Sequence, residues 1–275
     1  MNDPQPQCFD FSWMCQGRHL KTPSPEDLQL LSTWTKHHSK EKKTALILFH
    51  GFASSPAVFR YLYPYLQSYD YVEAPLLPGH GLSIQAFSQA TAKDWLSYAQ
   101  NIVQQRCQEY QQVDVLGLSL GGLIACHLAK EHPIRQLFLL APALSLVRPL
   151  PLLLKTAETF SRLGFVSIYN RGGQTFHCQA RELLYRQLPI QTLIEILTFI
   201  SDYQHQPWSQ PTTLWLGAHD KVVDSKKTSN ILNNLPYLKT IILENTGHIL
   251  PIESDKARII DVLSPSATTS RLALQ

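Results

Sequence analysis

Five short apolar runs, each shut off by glycine, proline or a polar turn, restrict this chain's fold more than any other feature. Ala45-Leu46-Ile47-Leu48-Phe49 ends at His50-Gly51, Val113-Asp114-Val115-Leu116 at Gly117, and Leu137-Phe138-Leu139-Leu140 at Ala141-Pro142. Thr213-Leu214-Trp215-Leu216 ends at Gly217, and Thr240-Ile241-Ile242-Leu243 runs into Glu244-Asn245-Thr246-Gly247. Such runs read as strands buried on both faces. Trp95–Cys107 and Leu120–Lys130 carry apolar side chains at helical spacing between them. Alternating buried strands and amphipathic helices predict an α/β chain, with a mostly parallel sheet and helices on both faces.

The rhythm begins at Thr44 and is interrupted once. Residues 1–43 are polar and read as an N-terminal segment with one weak helical signal, Ser24-Pro25-Glu26-Asp27 leading into Leu28, Leu30 and Leu31. Residues 44–145 and 211–265 carry the alternating core. Between Leu140 and Thr213 no strand-like run is visible. Two helical patterns, Leu152–Leu163 and Leu193–Tyr203, flank a polar connection with Gly172-Gly173, so 146–210 is expected to form a helical cap. Residues 266–275 read as a C-terminal tail.

Composition narrows the function classes. A chain of 275 residues with 44% hydrophobic residues and a net charge of +3 buries enough apolar surface to fold without staples. No basic cluster exceeds Lys40–Lys43, so no nucleic-acid partner is expected. Five cysteines (Cys8, Cys15, Cys107, Cys126, Cys178) lack close pair spacing, and Met1–Pro6 has no secretory pattern. Reduced thiols and a cytoplasmic protein are the expectation. His37-His38 and His177-Cys178 have no partners at ligand spacing, so neither a metal nor a cofactor is expected.

Gly117-Leu118-Ser119-Leu120-Gly121 is a G-x-S-x-G motif set between an apolar strand and a helix with Leu120, Leu123, Ile124, His127 and Leu128 on one face. That setting puts the Ser119 hydroxyl on a sharp, strained turn above a helix N-terminus, where negative charge is favoured. A serine nucleophile needs a base, and the base an orienting acid. His248 follows the last strand and Asp220 the one before it, giving the order Ser119, Asp220, His248. In a parallel sheet, loops at the carboxyl ends of the strands open onto one edge, so these residues can converge. The Leu120 N–H and the Phe52 N–H, after the first strand, are the expected oxyanion donors.

The region from Thr44 to Leu263 resembles the α/β-hydrolase fold, and more narrowly the bacterial carboxylesterase and monoacylglycerol-lipase group. The resemblance rests on His50-Gly51-Phe52, Pro75-Leu76-Leu77-Pro78-Gly79-His80-Gly81, Gly117-Leu118-Ser119-Leu120-Gly121-Gly122 and the Asp220 and His248 loops. It implies a cap at 146–210 forming much of an acyl pocket, and hydrolysis of short- to medium-chain acyl esters or monoacylglycerols. Leu76 and Leu77 stand where many relatives carry an acid, which favours an esterase over an epoxide hydrolase.

Other assignments remain open on the sequence alone. His50, His80 and His219 are rival histidines; Asp224 and Asp202 are rival acids. A thioesterase, amidase or carbon–carbon bond hydrolase uses the same triad, and a non-catalytic ligand-binding protein shares the fold. The apolar cap residues Leu150, Leu152, Leu153, Leu154, Phe160, Leu163 and Phe165 either pack the cap onto the core or touch acyl chains and a lipid surface. Oligomeric state is not legible.

Overall fold

The computed structural model describes residues 5–172, 174–177 and 179–264; the expected tail, Gly173 and Cys178 lie outside them. In chain order the strands are β1 (Phe11–Cys15), β2 (Arg18–Lys21), β3 (Trp34–His37), β4 (Thr44–Phe49), β5 (Tyr71–Ala74), β6 (Gln112–Leu118) and β7 (Gln136–Leu140). They continue with β8 (Ser167–Tyr169), β9 (Glu182–Tyr185), β10 (Gln187–Pro189), β11 (Thr212–Gly217) and β12 (Leu238–Leu243). The helices are α1 (Ile84–Gln89), α2 (Ala92–Glu109), α3 (Leu120–Leu128), α4 (Leu150–Arg162), α5 (Ile190–Asp202), α6 (Ser225–Leu232) and α7 (Ala257–Leu263).

The main sheet has seven strands in the order β12-β11-β7-β6-β4-β5-β3, parallel throughout except for the antiparallel edge strand β3. Its residues alternate between two apolar layers. Ala45, Ile47 and Phe49 join a cluster with α2, α3 and α5, whereas Leu46 and Leu48 join Phe59, Trp215, Ile259 and Ile260 on the other face. Burial on both sides explains why the central strands show no polar alternation. β12 departs from the expected full burial: it is an edge strand, and Lys239, Thr240 and Ile242 are exposed.

Two differences from the sequence reading matter for the site. The region 146–210 holds strands as well as helices, with β8 pairing β10 and β9 pairing β1. The N-terminal segment is also structural, because β1 lies in a three-stranded antiparallel sheet with β2 and β9, and β3 closes the main sheet. These strands are three to five residues long, and β3 exposes Thr35, Lys36 and His37, so neither an apolar run nor clear alternation marks them.

Candidate active site

β6 leads directly into α3 through Ser119, which has φ 53° and ψ −110°. A β-carbon-bearing residue with positive φ costs of order 1–3 kcal/mol and persists where the surroundings impose it. Here they do: the Ser119 N–H donates to the Leu140 carbonyl at 3.0 Å, while the Ser119 carbonyl accepts from Ala143 and Leu123, each at 3.0 Å. Gly117 is required by close approach, since a Cβ there would lie 2.2 Å from the Gly121 carbonyl oxygen. Strand and helix therefore meet without side chains between them, and Ser119 retains exposure between buried Leu118 and Leu120.

Asp220 and His248 arrive from the loops after β11 and β12. A Cβ on Gly217 would sit 2.1 Å from the Gly247 carbonyl oxygen, so the bare backbone lets the two loops touch. The Asp220 carboxylate accepts N–H bonds from Val222 at 2.8 Å and Val223 at 2.9 Å through Oδ1, while Oδ2 lies 2.8 Å from His248 Nδ1. Burial alone would push the His248 pKa down, but the Asp220 charge and hydrogen bond, helped by Glu182, reverse this and leave it raised. The imidazole is thereby held with its Nδ1 edge toward the acid, leaving the Nε2 edge for proton transfer.

Ser119 and His248 line one cavity of about 240 Å³, together with Phe52, Ser54, Glu182, Leu184, Leu188 and Val222 among others. Leu120 opens α3, so its N–H has no partner within the helix, and Phe52 borders the cavity from the loop after β4. That loop is fixed by His50. Its Nε2 accepts the Leu77 N–H at 3.0 Å, which leaves Nδ1 as donor to the Gly51 carbonyl at 2.9 Å. Complete burial lowers the His50 pKa to about 4, so the ring is neutral and structural.

The rivals fall elsewhere. His80 is buried among the rings of His50, Phe87 and Trp95. His219 stacks on Phe176 at 3.9 Å. Asp224 caps α6 by accepting the Lys227 N–H at 3.0 Å, and Asp202 is exposed at the end of α5.

Glu182 was not legible in advance. It sits on β9, 3% exposed, facing the cavity. Ser54 Oγ donates to its Oε1 at 2.7 Å, and Oε2 has no hydrogen-bond partner among the described residues. Burial raises its pKa to about 7, partly offset by Ser54, His248 and Arg60. One charge followed by Leu183, Leu184 and Tyr185 was the available signal, and it needed the strand assignment to be read.

A second buried carboxylate ties the base loop to the inserted region. Glu253, 1% exposed, accepts N–H bonds from Phe176, from His177 at 3.2 Å and from Gly247 at 3.4 Å. The His248 N–H also donates to the Gln174 carbonyl at 2.9 Å.

The sequence of residues 46–262 matches a family model described as the alpha/beta hydrolase family. The chain belongs to the alpha/beta hydrolase family. Among relatives of this hydrolase, the "Carboxylesterase" of Bacillus subtilis (strain 168) is 24% identical over 226 residues, 77% of this chain and 87% of that one. The "Thermostable monoacylglycerol lipase" of Bacillus sp. (strain H-257) is 24% identical over 246 residues, 86% and 95% of the two chains. A solved structure from work on LipS and LipT, two metagenome-derived lipolytic enzymes, shares the fold with TM-score 0.74 at 20% identity, covering 85% of this hydrolase and 95% of that chain.

Proposed function

We propose that this hydrolase cleaves carboxylic esters of short- to medium-chain acids, monoacylglycerols included, through an acyl-enzyme. The single observation that carries the reading is the Asp220–His248 pair at 2.8 Å, opening onto the same cavity as Ser119. Ser119 Oγ attacks the ester carbonyl carbon as His248 Nε2 takes its proton. The Phe52 and Leu120 N–H groups receive the carbonyl oxygen as it becomes negative. Collapse of the tetrahedral adduct breaks the carbon–oxygen bond, and His248 returns the proton to the leaving alcohol. A water deprotonated by His248 then attacks the acyl-serine, and the acid leaves as Ser119 recovers its proton. Asp220 fixes the tautomer and stabilises the imidazolium throughout.

In this reading 146–210 acts as the cap and supplies Glu182, Leu184 and Leu188 to the pocket. A largely apolar cavity with one buried carboxyl and Ser54 beside the nucleophile supports an ester that carries a hydroxyl next to its acyl chain. The names of the Bacillus relatives agree with both parts of that description. Cys8, Cys107 and Cys126 form no disulfide among the described residues, which supports placement in a reducing, cytoplasmic compartment.

The test is a series of p-nitrophenyl esters and monoacylglycerols of increasing acyl length on the wild type and Ser119→Ala, with fluorophosphonate labelling of both. Turnover and labelling confined to the wild type are expected, with the melting temperature of the variant unchanged or higher. Undiminished hydrolysis by Ser119→Ala overturns the assignment.

A further inference from the structure

The molecule carries an apolar projection that its own fold leaves uncovered. α4 ends at Arg162, and the following turn displays Leu163, Phe165 and Val166 at 68%, 54% and 82% exposure. Leu152, 61% exposed, extends the same character along the helix. The projection is built rather than frayed. The Phe165 N–H donates to the Phe160 carbonyl at 3.0 Å, the Gly164 N–H to the Ser161 carbonyl at 3.0 Å, and the Phe160 and Phe165 rings pack 5.3 Å apart. The opposite face of α4 is occupied: Ala157 is buried, and Leu150, Leu153 and Leu154 pack against the main core.

Charge identifies the occupant. Between residues 146 and 171 the chain has Arg148, Lys155, Arg162 and Arg171, all exposed, against Glu158 alone. This stretch holds the whole formal net charge of +3, and the rest of the chain is balanced. A cluster of three exposed apolar side chains within four residues, fringed by cations, suits an interface with hydrocarbon below and negative headgroups above. A second copy of the same face would set like charges against each other.

We propose that the Leu163–Val166 turn and the exposed face of α4 dock this hydrolase onto an anionic lipid surface. The docking deepens the esterase reading and rests on it for the origin of the substrate. β8 joins the turn directly to Asn170 and Gly172 at the cavity wall, so the surface that meets lipid lies next to the pocket that receives acyl chains. Partition is superficial, because no helix among the described residues is long and apolar enough to cross a membrane.

Co-sedimentation tests this with vesicles of equimolar phosphatidylcholine and phosphatidylglycerol, with vesicles of phosphatidylcholine alone, and in rising salt. The wild type is expected to pellet with the anionic vesicles and to be released by salt. Two variants separate the contributions: Leu163→Ser/Phe165→Ser/Val166→Ser, and Arg148→Gln/Lys155→Gln/Arg162→Gln. Each should bind at least about tenfold more weakly while hydrolysing soluble p-nitrophenyl butyrate at the wild-type rate. Failure of the wild type to pellet, or undiminished binding by the apolar variant, overturns the proposal. So does light scattering that shows a wild-type dimer and a monomeric apolar variant. Loss of soluble-ester hydrolysis in the wild type strikes the esterase reading instead, and vesicle binding is scored independently of it.

Discussion

Asp220 and His248 meet at 2.8 Å with their side chains 1% and 6% exposed, so neither group is hydrated enough to exchange the other for water. The pair fixes which edge of the imidazole is free, and His248 lines the same cavity as Ser119. Asp220→Asn retains an oxygen for the Val222 and Val223 amides but turns an N–H₂ toward Nδ1, which selects the wrong tautomer. We expect kcat for p-nitrophenyl butyrate to fall by about 10⁴-fold. A loss of less than about tenfold would show that Asp220 does not orient the base.

The pH profile follows from the raised pKa of His248. In the proposed mechanism only the neutral imidazole accepts the Ser119 proton, so kcat/KM should rise with pH through a midpoint above the ordinary histidine value of about 6.5. Glu182, itself raised to about 7, contributes negative charge that favours the imidazolium. Glu182→Gln removes that charge, so the rising limb should move to lower pH. The same variant should raise KM for a monoacylglycerol more than for p-nitrophenyl acetate, which lacks the extra hydroxyls. A limb that moves upward, or equal effects on the two substrates, contradicts this role.

Gly217→Ala tests the contact between the acid and base loops. The added Cβ overlaps the Gly247 carbonyl, and the clash is with backbone, which cannot rotate away. Separation of the loops should cost about 1–3 kcal/mol in urea denaturation and lower kcat more than it raises KM. Wild-type kcat together with wild-type stability would show that the loops can separate without consequence.

Asp114 offers a stability test remote from the cavity. Its fully buried carboxylate accepts from Arg135 Nε at 2.7 Å, from a second Arg135 N–H and from Tyr69 Oη at 2.7 Å. Asp114→Ala leaves the buried phenol and the half-exposed guanidinium without their acceptor, at a cost of about 3 kcal/mol. The denaturation midpoint should drop accordingly, with specific activity of the folded fraction preserved.

Five strands of the main sheet and the places of Ser119, Asp220 and His248 just past three of them were legible because each depends on local pattern: an apolar run, a glycine, a charged or polar residue just past a strand. β3 and β5 were not among the five runs, since β3 is polar beyond Trp34 and β5 is interrupted by Glu73, whose charge is answered by Arg106 at 2.8 Å from α2. β9 was hidden because its burial comes from pairing with β1, which precedes it by 167 positions (182 − 15). Glu182 and Glu253 became visible only through partners such as Ser54 and Phe176, which no spacing rule connects to them.

The pairing of β1 with β9 also sets an order of assembly. Phe11 leaves the ribosome long before its partner Tyr185, which follows it by 174 residues (185 − 11). Until then the apolar side of Phe11-Ser12-Trp13-Met14-Cys15 has nowhere to rest, and closing so long a loop is entropically slow. The strand that carries Glu182 thus locks in late, and a nascent chain stalled before residue 182 would present Phe11–Cys15 to chaperones rather than to its own interior.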